Sequence, residues 1–164
     1  MSARLGQGVT AVGLFQATVH GDQAAVEGSL RSGVGPDTQD DDGDTALVLA
    51  AATGRCGIID LLLHSGADPN LAGRDGMTPL MMACLSGHPA AVEILIAGGA
   101  QVNAHDCVGR TALWFAALAS DLYLARRLLS AGANPLIADS EGWSPADLAI
   151  EVGERRMISL FTGQ

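Results

Sequence analysis

The chain has 164 residues, enough to bury one sizeable core but with no room for a second domain, so residues 1–164 are read as one unit of folding. A formal charge of -9 and a pI near 4.6 argue against direct binding of nucleic acid or anionic membranes, both of which need a basic stripe. Cysteines 56, 84 and 107 are odd in number and form no CxxC pair, which implies neither a disulfide framework nor a zinc motif and fits a reducing, cytoplasmic or nuclear compartment.

All nine basic residues are Arg. A role in which ubiquitin conjugation is avoided would suit that, and a GC-rich coding sequence explains it more simply. The apolar run 9–19 has the look of a weak signal-peptide core, yet its flank carries only Arg4 and it is interrupted by Thr10, Gln16 and Thr18. No apolar run approaches the length that crosses a bilayer.

Internal register claims the run instead. Thr45, Thr78, Thr111 and Ser144 recur every 33 residues, as do Ala50, Ala83, Ala116 and Ala149, and Gly66, Gly99 and Gly132. A fixed period of that length signals a solenoid. Carried back one period, the register lands on Ala17, Gly21, Leu30, Gly33 and Asp37, which marks residues 8–39 as a degenerate first unit without the Thr-Pro-Leu opening. Terminal units are atypical because one face meets water.

The second unit, 40–72, opens on the acidic turn 40–44 and places Thr45 to cap a first helix over about 46–53. Gly54 breaks the chain, Ile58, Ile59, Leu62 and Leu63 recur at helical spacing over 56–64, and Gly66 supplies the left-handed C-cap. The third unit, 73–105, sets Pro79 and Pro89 in the first turns of its two helices, where proline removes no helical hydrogen bond. The fourth, 106–138, keeps Thr111-Ala112-Leu113 but carries Ser120 in place of the mid-unit glycine and Leu136 in place of Asn. The fifth, 139–164, keeps Ser144-Pro145 and Gly153 and stops soon after Phe161, which also suits a fragment of a longer protein. Leu80, Met82, Ala83, Val92, Leu95 and Ile96 form an apolar stripe that two short helices cannot hide alone, so units must stack.

The script D-G-x-T-P-L-x-x-A-x-x-x-G-H, then an aliphatic run, then G-A-D-x-N, seen most fully from Asp75 to His88 and on to Asn103, resembles the ankyrin repeat. The resemblance implies an all-α repeat solenoid of helix-turn-helix units with projecting β-hairpin loops, L-shaped and concave on one side. It implies a non-catalytic protein-protein interaction module: an adaptor, scaffold or targeting subunit, monomeric in itself. The alternative is an inhibitor that occludes the active or nucleic-acid-binding surface of a kinase or transcription factor, motivated by the acidic turn 40–44.

The chain departs from that pattern where the family's Thr-Pro-Leu-His histidine ties adjacent hairpins: Val48, Met81, Trp114 and Asp147 stand there instead. Packing is expected to replace those ties, with Trp114 part of the stack. Asn70 and Asn103 match a family position open to hydroxylation, and closing the local turn accounts for them.

Enzyme chemistry finds no support in the scattered His and Cys residues. His88 holds a structural family position, and His20 and His64 sit at helix ends. His105-Asp106-Cys107 lacks a complementary ligand pair, and the turn 40–44, which resembles a calcium loop, has Leu49 where that loop requires glutamate. No glycine loop of the nucleotide-binding kinds occurs, so no metal or cofactor is expected.

In ankyrin-like proteins partners meet hairpin tips and the C-terminal ends of inner helices. Carried over unit by unit, the expected binding residues are Asp41, Asp42, Asp44, Arg74, Met77, Leu85, Val108, Arg110, Leu118 and Trp143. They read as an acidic patch passing into an exposed apolar strip flanked by Arg74 and Arg110. The expected partner is a protein or peptide with apolar anchors and some basic character. Arg126, Arg127, Arg155 and Arg156 lie on second helices and are read as solvated outer charge.

Overall fold

The computed structural model describes residues 11–162; Arg4, the start of the first unit at 8 and the last two residues lie outside that range. Helices come in consecutive pairs: α1 (Ala11–His20) with α2 (Gln23–Arg31), α3 (Ala46–Ala52) with α4 (Cys56–His64), α5 (Pro79–Leu85) with α6 (Pro89–Ala97), α7 (Ala112–Leu118) with α8 (Leu122–Ser130), and α9 (Pro145–Val152) with α10 (Arg155–Thr162). First helices pack on first helices in chain order, and second helices form a parallel outer row. No described helix is long and apolar enough to cross a membrane.

The recurring hydroxyl explains where each inner helix from α3 onward begins. Thr45, Thr78, Thr111 and Ser144 accept the backbone N–H three residues on at 3.2, 3.3, 3.3 and 3.2 Å, meeting one of the donors a helix start leaves unpaired. Ser144 also donates from its N–H and hydroxyl to Asp147, completing a capping box that holds the Asp147 carboxyl below its usual range, the hydroxyl bond being the larger cause. Each inner helix ends at a left-handed residue: Gly21, Gly54, Gly87 and Gly153 at φ of +80°, +64°, +68° and +73°, and Ser120 at +53°.

The repeated alanines 50, 83, 116 and 149 are fully enclosed and let inner helices approach closely, while Leu47, Leu80 and Leu113 fill the layers between them. Leu62, Leu95 and Leu128 do the same under the outer row. Each such leucine contributes about 1.5–3 kcal/mol relative to exposure. That gain needs a neighbouring unit, because the core is made between units.

The projections between units are tight turns closed at their base by one backbone bond each: the N–H groups of Asp40, Gly73, Asp106 and Asp139 donate to the carbonyls four residues on, at 2.9, 2.9, 3.0 and 3.0 Å. Only isolated bridges, Gln39 with Thr45 and His105 with Thr111, accompany them, so the expected β-hairpins carry no strand among the described residues. In three turns the aspartate carboxylate fills the loop: Oδ1 of Asp40, Asp106 and Asp139 accepts the N–H groups two and four residues ahead.

Adjacent units are tied by polar bonds as well as by packing. Asn70 Oδ1 accepts the Gln101 N–H at 2.7 Å while its Nδ2 donates to the Gly99 carbonyl at 3.3 Å. Asn103 repeats both bonds one unit later, to Asn134 and Gly132, at 2.8 and 2.9 Å, and Asp37 Oδ1 accepts the Asp68 N–H. These side chains reach into the next unit, where sequence reasoning assigned them to their own turn. Across the inner-helix ends, Arg55 Nη2 donates to the Val19 carbonyl at 3.1 Å and His88 Nε2 lies 3.2 Å from the Ala52 carbonyl. Asp121, one period after His88, caps α8 instead, accepting the Leu124 N–H at 3.0 Å.

Candidate functional site

Two inner helices and the turns in front of them enclose a cavity of about 450 Å³. Helix α5 contributes Met82 and Leu85, helix α7 contributes Trp114, Phe115 and Leu118, and the turns contribute Asp44, Arg74, Asp75, Met77 and Arg110. The helical share follows from spacing: 82 with 85 and 115 with 118 are three residues apart, hence on one helix face, and the two pairs are one period apart. Leu85 and Leu118 are each 51% exposed, an apolar edge that stacking leaves uncovered.

The floor is rigid. Arg110 Nε and Nη2 both donate to Asp106 Oδ2 at 2.7 Å, and that carboxylate, enclosed by the turn it organises, holds the guanidinium flat. The guanidinium carbon lies 5.0 Å from the Phe115 ring centre and 5.4 Å from that of Trp114, within cation-π range. The two rings meet edge-on, centres 5.4 Å apart and planes at 75°. Trp114 Nε1 is buried in this wall without a hydrogen-bond partner among the described residues.

Arg74 is engaged too, pairing with Asp42 through its side chain while its backbone N–H donates to Asp44 Oδ1 at 2.9 Å. The carboxylates of Asp41, Asp75 and Glu141 form no ion pair among the described residues. Unpaired carboxylates thus remain along the turns, while Arg110 is held by Asp106 and Arg74 pairs with Asp42 at the exposed surface.

Of the ten residues expected from sequence, Asp44, Arg74, Met77, Leu85, Arg110 and Leu118 meet in this cavity. Asp41 and Asp42 stand on the preceding turn. Val108 and Trp143, 43% and 39% exposed, sit on their own turns and line no part of it. Met77 was expected to be an exposed anchor; it is 9% exposed, drawn in where its carbonyl closes the third turn. Met82 and Phe115 were missed because the register assigns them to the stack, although their spacing from Leu85 and Leu118 was a usable signal. Trp114, read as part of the stack, also forms cavity wall.

A family model described as ankyrin repeats, in three copies, matches residues 14–106 and 91–162. The chain belongs to the ankyrin-repeat family. No curated protein sequence matches it. Ankyrin repeats are generic protein-protein interaction modules, typically without catalysis.

Outside the cavity of this ankyrin stack, His88 packs on a left-handed glycine. Gly54 has a left-handed φ and a Cβ there would lie 2.8 Å from His88 Nδ1, so the His88 ring fills the space that glycine leaves. Among the described residues no three His, Cys, Asp or Glu side chains gather as metal ligands. Cys84 is fully enclosed, and burial, with the Asp121 charge second, pushes its thiol up to about 12.

Proposed function

We propose that this ankyrin domain is a non-catalytic adaptor, scaffold or targeting subunit that docks a protein or peptide segment across the inner helices and turns of its third and fourth units. The observation that carries the reading is the pair Leu85 and Leu118, half-exposed at equivalent positions above an aromatic-floored cavity. Exposed apolar residues gathered on one face mark a protein interaction site. A partner with apolar anchors and some basic character suits the surface, and free thiols suit a cytoplasmic or nuclear setting.

The test is affinity capture from native lysate with the chain and with a Leu85→Asp, Leu118→Asp double variant, both checked for native helicity by circular dichroism. Proteins retained by the parent chain and lost from the folded variant support the reading. An identical captured set from both baits overturns this docking face.

The second reading, an inhibitor that covers a partner's active or nucleic-acid-binding surface, is favoured by the unpaired Asp41, Asp75 and Glu141. Under that reading, binding weakens steeply with salt and suppresses the partner's activity. Activity that persists in the captured complex removes it.

A further inference from the structure

We infer that the cavity between α5 and α7 seats one large apolar side chain of an incoming polypeptide segment, and that a lysine or arginine beside that anchor meets Asp44 and Asp75 at the rim. This rests on the interaction-module reading and narrows it to one pocket and one charge pattern. The apolar half of the argument is geometric. Met82, Leu85, Phe115 and Leu118 form a trough of about 450 Å³, several times the volume of one large side chain, so the anchor enters with part of its own backbone. The wall also carries Trp114 Nε1, a buried donor with no partner among the described residues.

The charge half depends on which ions are already spent. Sequence alone places Arg74 and Arg110 beside the trough as its flanking cations. In the folded chain Arg110 is held by two bonds to Asp106 and lies over the aromatic rings, and Arg74 is paired with Asp42. The Arg110 guanidinium is thus part of the scaffold, while Arg74 is paired at the exposed surface. Asp75 makes no ion pair among the described residues, and Asp44 accepts only a backbone N–H through Oδ1, so the rim of the same cavity presents uncompensated carboxylate. An acidic ligand would meet repulsion at the rim without a free cation to offset it, whereas a basic residue next to the anchor completes the pattern.

The experiment is selection of a randomised 12-residue peptide library against the intact chain, followed by fluorescence anisotropy of the enriched peptides on four proteins: parent, Leu118→Asp, Asp75→Asn and Asp75→Lys. Leu118 is half-exposed and Asp75 lies at a turn tip, and the Asp75 variants leave the apolar trough untouched should Leu118→Asp fail to fold. The expected peptides carry Leu, Met, Phe or Trp within two positions of Lys or Arg. Their affinity falls about tenfold or more on Leu118→Asp, as loss of a buried anchor does. It falls by about two- to fivefold on Asp75→Asn, the scale of an exposed ion pair, and further on Asp75→Lys. Added salt weakens binding to the parent more than to Asp75→Asn. Enriched peptides that are acidic, or that bind all four proteins equally, overturn the inference and leave the module reading standing. A library with no binder, combined with lysate capture that returns nothing, overturns both.

Discussion

The Asp44 carboxylate occupies the place that a side chain on Gly73 would need. Its Oδ1 accepts the Arg74 N–H at 2.9 Å, and a Cβ built on Gly73 would fall 2.1 Å from that oxygen. Turns at 40, 106 and 139 begin with an aspartate whose carboxylate organises the loop from within; at 73 the preceding unit supplies the carboxylate instead. Gly73→Asp, although it restores the pattern of the other units, is therefore expected to destabilise the chain by about 1–3 kcal/mol, the usual scale of overpacking. Urea unfolding measures it. Most of the loss should disappear when Asp44→Ala is added, a coupling that a double-mutant cycle reads directly.

Ser120→Gly is expected to stabilise. Ser120 holds φ at +53° where the four equivalent positions carry glycine, and a left-handed backbone costs a non-glycine residue about 1–2 kcal/mol. Part of the relief is offset by the greater freedom of glycine in the unfolded chain, which leaves a net gain of about 0.5–1 kcal/mol. A higher thermal midpoint at unchanged helicity is the expected readout; an unchanged or lower midpoint contradicts it.

Asn103 donates and accepts across the boundary between the third and fourth units. Asn103→Ala removes both bonds and leaves the Asn134 N–H and Gly132 carbonyl to water, at a cost of about 1–2 kcal/mol. Asn103→Asp keeps the acceptor and loses the donor, so its cost is smaller. Equal losses for the two variants would mean that the donor bond to Gly132 carries the whole effect.

The Cys84 thiol should be inert in the native chain. Its proton, lost near 9.0 in an ordinary thiol, is held to about 12 by burial and then by Asp121. Between those values the folded state binds the proton and the unfolded state does not, so the contribution to stability is complete below pH 9.0 and is lost progressively as pH rises above it. Cys84→Ala should flatten that alkaline decline. Iodoacetamide mapping at pH about 8 should label exposed Cys107 readily and reach Cys84 only with added urea.

Repetition made the fold readable. Caps at 45, 78, 111 and 144, left-handed stops one helix later and enclosed alanines are local rules applied four or five times, and the register carried even the degenerate first unit. What stayed hidden depends on how the turns close and where they meet. Arg74 and Arg110 look like free cations in the chain, because their pairing with Asp42 and Asp106 exists only when turns close and stack. Met77 looks like an exposed apolar residue, because nothing in its neighbours announces that the third turn becomes a short 3-10 turn at Arg74–Gly76 with Asp75 at φ of +57°. The inter-unit bonds of Asn70 and Asn103 span 29 to 31 residues, beyond the reach of any local signal.

Helix pairs that touch chiefly their sequence neighbours give the molecule a mechanical character as well as a static one. Pulled from its two termini, such a chain bears load in series through each boundary, and no single long-range contact clamps the whole. Extension should proceed in steps about one unit in length, with recoil after each release. The boundary between the fourth and fifth units, where Leu136 stands in the register of Asn70 and Asn103, is the place for the first step.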